Sequence, residues 1–185
     1  GRPEGLPTAA RAHSSDRRGT RGREVKGEPC LALSWQAVNA TTMSVKLRPN
    51  VRFHDGAAFT ADDVVFSIQR ELSDTSNFKP YLAGVKDARK VDDLTVDILT
   101  EGPAPVLIPQ LTEVRMMSRA WAAKHNVLKP QDFKNKEETY ASRNANGTGQ
   151  FVLQSREADV KPRAVLKSNW WGTPDGHGNA SVAAR

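Results

Sequence analysis

The sequence predicts a mixed α and β fold, and three stretches carry that prediction. Met43, Val45 and Leu47 alternate with Ser44, Lys46 and Arg48, the period-two pattern of a strand with one buried face. Leu94, Val96 and Ile98 repeat the pattern downstream. Between them, Ala61, Val64, Val65, Ile68 and Leu72 fall within about a third of a turn at ~100° per residue, the stripe of a helix laid on a core.

Taken in order, residues 1–29 are rich in Gly, Pro, Ser and Arg and nearly devoid of large apolar side chains. They cannot bury enough surface to offset the entropy of ordering, so a disordered basic leader, foreign to the domain that follows, is expected there. Leu31, Leu33 and Trp35 alternate, which predicts a strand over 31–38 that turns at Asn39-Ala40 and forms a hairpin with 43–48. Pro49-Asn50 breaks the second strand, because proline fixes its own φ and asparagine tolerates a left-handed turn. Val51 and Phe53 then predict a second short strand, ended by a turn at Asp55-Gly56. Thr60-Ala-Asp-Asp63 is a capping-box-like helix start, with both carboxylates where the helix dipole favours them. Phe66 lies off the apolar stripe, which predicts either that the 60–72 helix is contacted on two sides or that Phe66 covers a neighbouring loop.

Residues 73–77 read as a loop, with Phe78 and Tyr81 as scattered anchors. Residues 85–91 and 94–99 flank Asp92-Asp93 as a second hairpin. Pro105 opens a short helix through Leu111, and Ser118 caps another over 118–125. Residues 129–146 are polar and read as a surface loop. Phe151 and Leu153 alternate after Gly147-Thr-Gly149, Ala164–Lys167 is the last strand, and Asn169-Trp-Trp-Gly172 closes it. Beyond Thr173 periodicity disappears, so 173–185 read as a disordered tail around a domain at 30–172.

Composition narrows the function classes. The net charge of +6 invites a nucleic-acid partner, but much of it sits in the first thirty residues, where Arg2, Arg11, Arg17, Arg18, Arg21, Arg23 and Lys26 outnumber the acids. From Cys30 onward acids and bases are interspersed, and no interleaved aromatics accompany the basic arm. One cysteine allows no internal disulfide, and no Cys/His cluster has zinc-site spacing. No apolar run reaches the ~20 residues of a bilayer span, and no export-signal pattern is read at the N-terminus.

Each chemically suggestive motif has a plainer reading. His54-Asp55 could be a base with its orienting carboxylate, yet adjacent strand residues point to opposite faces, so a strand-end turn is preferred. Asp62-Asp63 could ligate a metal but sit where a helix start ordinarily carries acids. Gly147-Thr148-Gly149 lacks the further glycines, lysine and helix of a phosphate cradle and is read as a tight turn where backbone approaches backbone. Trp170-Trp171 could stack on a ligand; closing an apolar cluster is the preferred role. Cys30 follows Glu-Pro, not the small apolar residues of a lipoprotein attachment site, so a plain thiol is preferred to a lipid anchor. No serine-nucleophile elbow is present.

Lys46-Leu-Arg-Pro-Asn-Val-Arg-Phe-His-Asp-Gly56 followed by Phe59-Thr-Ala-Asp-Asp-Val-Val-Phe-Ser67 resembles the signature segment of the family 5 extracellular solute-binding proteins of bacterial ABC transporters. Val91-Asp-Asp-Leu-Thr-Val96, Gly147-Thr-Gly-Gln-Phe151 and Asn169-Trp-Trp-Gly172 follow in the family's order. The resemblance runs from about Leu31 to Gly172 and implies a fragment of a two-lobed, type II periplasmic-binding-protein-like α/β fold. Structure outside this chain is then expected to cover Phe66, and both ends are expected to reflect a truncated or frame-shifted reading frame.

The resemblance implies a non-enzymatic binding component that captures a small solute, an oligopeptide by first choice, and delivers it to membrane permease subunits. It implies a monomer in the periplasm or otherwise outside the cytoplasmic membrane. No catalytic, metal-ligating or cofactor-binding residue is expected; the ligand-contacting residues are unknown because the motifs look architectural. A nucleic-acid-binding module using the basic arm, and less so a hydrolase, are the competing classes. The first predicts steeply salt-dependent DNA retention lost on removing residues 1–29; the second requires a nucleophile and a base.

Overall fold

A computed structural model describes residues 30–134, 138–155, 163–167 and 170–172. A four-stranded antiparallel sheet forms from β1 (Ala32–Asn39), β2 (Thr42–Leu47), β3 (Val85–Asp92) and β4 (Thr95–Thr100), in the order β1-β2-β4-β3. Helix α1 (Ala61–Leu72) packs on β3 and β4. Around them lie α2 (Leu107–Leu111), α3 (Arg119–Lys124), α4 (Tyr140–Arg143) and a separate hairpin of β5 (Phe151–Ser155) with β6 (Arg163–Leu166). The expected leader over 1–29 and tail over 173–185 lie outside the described residues.

Local chemistry explains most of these boundaries. Asn50 takes the left-handed conformation (φ 60°) that ends β2, and Gly56 does so at φ 90° in the next turn. At the start of α1, the Thr60 N–H donates to Asp63 Oδ2 at 3.0 Å. The 92–94 turn lacks glycine but is held by Asp92, whose Oδ1 accepts from Leu94 N at 2.8 Å. Ser118 caps α3, its Oγ accepting from Trp121 N at 3.3 Å.

The core fills the space between sheet and helix. Val45, Leu47, Val96, Ile98 and Ala88 point into it from the strands, and Ala61, Val64 and Ile68 meet them from α1. Burial of each large aliphatic side chain contributes about 1.5–3 kcal/mol. Leu82, at the end of a 3₁₀ turn over Lys79–Leu82, is 1% exposed, whereas Tyr81 is 50% exposed, so Leu82 and not Tyr81 is the buried anchor of that loop.

Two other expectations are corrected. Residues 51–53 form no strand; Arg52 and Ala58 make one isolated bridge, and burial of Val51 and Phe53 holds the loop instead of a ladder. The 129–146 segment is not all loop, since α4 forms within it. The strand expected over 31–38 forms as β1 at the sheet edge, with Leu33 exposed and Trp35 partly covered. Phe66 is partly buried within this chain. It packs with Trp121, Ala122, Val127, Met117 and Ala141 in a second small cluster, which gives α1 the predicted contacts on two sides.

Candidate functional site

Three of the motifs singled out in the sequence meet at one junction. The 53–57 turn carries His54 and Asp55, the loop before β5 carries Asn146–Gly149, and Trp170-Trp171 closes over that loop. The His54 N–H donates to Gly147 O at 2.8 Å. The imidazole spans the same loop, with Nδ1 accepting from Gly147 N at 3.2 Å and Nε2 lying 2.9 Å from Gly149 O. An accepting Nδ1 places the proton on Nε2, so the ring is neutral. Burial pushes the His54 pKa below its ordinary value; the bond to Gly149 O opposes the shift, Lys167 adds to it and Asp55 opposes it.

Asp55 and Asn146 reinforce the contact. Asp55 N donates to Asn146 Oδ1 at 3.2 Å, and Asn146 Nδ2 donates to Asp55 Oδ2 at 2.8 Å. The other carboxylate oxygen accepts from Ala57 N at 3.0 Å. Thr148 is fully buried, and its carbonyl accepts from both indoles, Trp170 Nε1 at 3.0 Å and Trp171 Nε1 at 2.7 Å. Lys167, just after β6, donates through Nζ to Phe53 O at 3.0 Å and Arg52 O at 3.3 Å. Arg48 lies over the Trp171 ring at 5.3 Å, and its Nε donates to Cys30 O at 2.8 Å.

Chemically, this arrangement positions backbone. Both His54 ring nitrogens are engaged by main-chain groups. His54 and Asp55 lie in a turn, as preferred, although the strand expected before it does not form, and the tryptophan indoles donate to the 147–149 loop. Asp62 and Asp63 part company. Asp62 forms a surface ion pair with Lys90 at 2.7 Å, while Asp63 is buried and Oδ1 accepts from Arg119 N at 2.9 Å. No group of three or more His, Cys, Asp or Glu side chains gathers to hold a metal among the described residues.

A polar stripe on α1 escaped the sequence reading. Asp63, Ser67 and Glu71, spaced i, i+4 and i+8, are all buried. They receive successive alternate N–H groups of the strap that follows α2: Arg119 N on Asp63 Oδ1, Met117 N on Ser67 Oγ at 2.9 Å and Arg115 N on Glu71 Oε1 at 2.9 Å. The intervening Val114, Met116 and Ser118 are buried. Helical spacing of ~6 Å per four residues nearly matches the ~6.7 Å of two extended residues, so side-chain acceptors stand in for a neighbouring strand. The sequence signal was the Asp-x-x-x-Ser-x-x-x-Glu spacing beside the apolar stripe. Away from this region, Thr75, Asn126, Leu128, Lys129, Pro130, Asp132 and Thr139 line a shallow surface depression.

The family model described as bacterial extracellular solute-binding proteins, family 5 Middle, matches residues 26–183. The chain belongs to this family. It is 31% identical over 166 residues to heme-binding protein A of Haemophilus influenzae, covering 78% of this chain and 29% of that protein. It is 28% identical over 168 residues to the dipeptide-binding protein of Escherichia coli, covering 78% of this chain and 30% of the relative. Among solved structures, the oligopeptide-binding protein AppA of Bacillus subtilis, in complex with a nonapeptide, superposes with a TM-score of 0.71 at 18% identity, covering 88% of this chain and 31% of that one. That likeness establishes a periplasmic-binding-protein fold. The chain thus spans about 30% of the length of the relatives it matches. No helix among the described residues is long and apolar enough to cross a membrane.

Proposed function

We propose that the chain is part of the substrate-binding component of an ABC transporter, which captures a small solute outside the cytoplasmic membrane and delivers it to membrane permease subunits. The observation that carries this reading is the family match over residues 26–183. An oligopeptide is the proposed solute class. Its support is that one relative is a dipeptide-binding protein and one structural neighbour holds a nonapeptide. The work done is capture and release without bond making, by a monomer. Solute contacts both lobes of such a protein only when they close, and so shifts the population toward the closed form.

Because the chain spans about 30% of the relatives' length, it contributes only part of the solute's surroundings in this reading. Calorimetric titration of the 185-residue chain against mixed peptides, hemin and a nickel–histidine complex tests it. Peptide binding weaker than about 1 µM, with no heat from the other two, is expected. Submicromolar peptide binding would contradict the division of the site, and binding of hemin or nickel–histidine in preference to peptide would contradict the solute class.

A further inference from the structure

The β5–β6 hairpin is joined to the body of the fold through a small set of polar contacts concentrated at one end. It forms its own two-stranded sheet, and Phe151, Val165 and Leu166 are 41%, 40% and 68% exposed, so apolar burial does little to anchor it. A two-stranded hairpin alone is marginally stable in water. What ties it down among the described residues is the junction: the His54 ring and N–H on Gly147 and Gly149, the Asp55–Asn146 pair, Lys167 on the carbonyls of Arg52 and Phe53, and both indoles on Thr148 O.

We propose that His54 is a pH-sensitive latch, whose protonation breaks the contact between the 53–57 turn and the 146–149 loop and frees the hairpin to move against the sheet–helix body. The reason is donor counting. Nδ1 accepts from Gly147 N–H, and a protonated ring presents a second N–H to that donor. One hydrogen bond is lost and two donors are pressed together in a half-buried site.

Of the surrounding charges, Lys167 acts in the same direction and Asp55 in the opposite one. Lys167 reaches in from the end of β6, and Arg52 lies two residues before His54, its guanidinium donating to Gly56 O at 2.9 Å. Asp55 is the facing anion, and its two oxygens are already occupied by Ala57 N and Asn146 Nδ2. An imidazolium would be a further cation beside Lys167, and both Asp55 oxygens are already held by hydrogen bonds within the junction. The lowered His54 pKa is in keeping with this arrangement. The closed latch therefore excludes the proton and the open one admits it.

Hydrogen exchange of the Trp170 and Trp171 indole N–H groups in the full 185-residue chain, followed from pH 8 to 4.5 and corrected for intrinsic exchange chemistry, reads the opening. Opening should rise as pH falls through about 6.5, by up to about tenfold per pH unit, and flatten below the folded-state pKa. Trp121, in the other apolar cluster, is the internal control and should show no such rise. His54→Gln keeps a donor for Gly149 O and an acceptor for Gly147 N–H but cannot titrate, and should give a flat profile. If that variant does not fold, the wild-type comparison of Trp170 and Trp171 with Trp121 decides alone. A flat wild-type profile, a rise shared equally by Trp121, or the same step in a folded His54→Gln chain would overturn the latch.

Discussion

Asn50, Phe53 and Gly172 each hold one backbone course in place. Asn50 sits at φ 60°, where a β-branched side chain is strained by about 1–2 kcal/mol. Asn50→Val should therefore lower the unfolding free energy by about that much in urea titration, while Asn50→Gly should stay within about 0.5 kcal/mol. Phe53 is fully buried and meets Phe59 edge to face at 5.8 Å, so Phe53→Ala should cost about 3–5 kcal/mol in the same measurement. A Cβ on Gly172 would clash with the Trp170 ring. Gly172→Ala must displace that indole from Thr148 O, with an expected loss of about 1–3 kcal/mol and a shift of tryptophan emission. The first two positions were legible in the sequence as a turn asparagine and a strand-phase phenylalanine. The third was not, because the clash arises from a ring folded back over its own chain.

Helix α1 is the element whose two faces do different work. Its apolar stripe was legible from periodicity alone, but Asp63, Ser67 and Glu71 look like solvent residues until the strap over 114–119 is placed on them. Ser67→Ala leaves Met117 N–H without its acceptor and should destabilise the fold by about 1–3 kcal/mol. Glu71 gives the stripe a pH dependence. Burial raises its pKa to about 7, opposed by the Arg115 N–H bond and by the charges of Arg70 and Arg115, and Oε2 has no hydrogen-bond partner among the described residues. The folded chain thus binds this proton more tightly than the unfolded chain. Its contribution is fully present below pH ~4.5 and is lost as pH rises through about 7. Glu71→Gln should remove that decline, read as thermal midpoint against pH. The His54 contribution has the opposite sign: its pKa is lowered in the fold, so its stabilisation is present above ~6.5 and lost as pH falls.

At the scale of the whole molecule, the strands, their hairpin turns and the two capped helices followed from alternation, caps and turn residues, all of which act within a few residues. The junction did not follow from any of these. His54 and Gly147 are 93 residues apart, and nothing local in either stretch announces the other. Family resemblance supplied the motifs and their order, and the folded chain adds that three of them touch. Val51 and Phe53 show the converse limit: period-two spacing was correct for burial and wrong for hydrogen bonding, because tertiary packing had already used those side chains. The central claim is that these signature stretches are mutual scaffold, each holding the others. A double-mutant cycle between Asp55→Ala and Asn146→Ala, residues 91 apart in sequence and joined at 2.8 Å, tests it most directly. A coupling energy of about 1–2 kcal/mol in urea unfolding is expected; single losses that simply add, to within about 0.3 kcal/mol, would contradict mutual scaffolding.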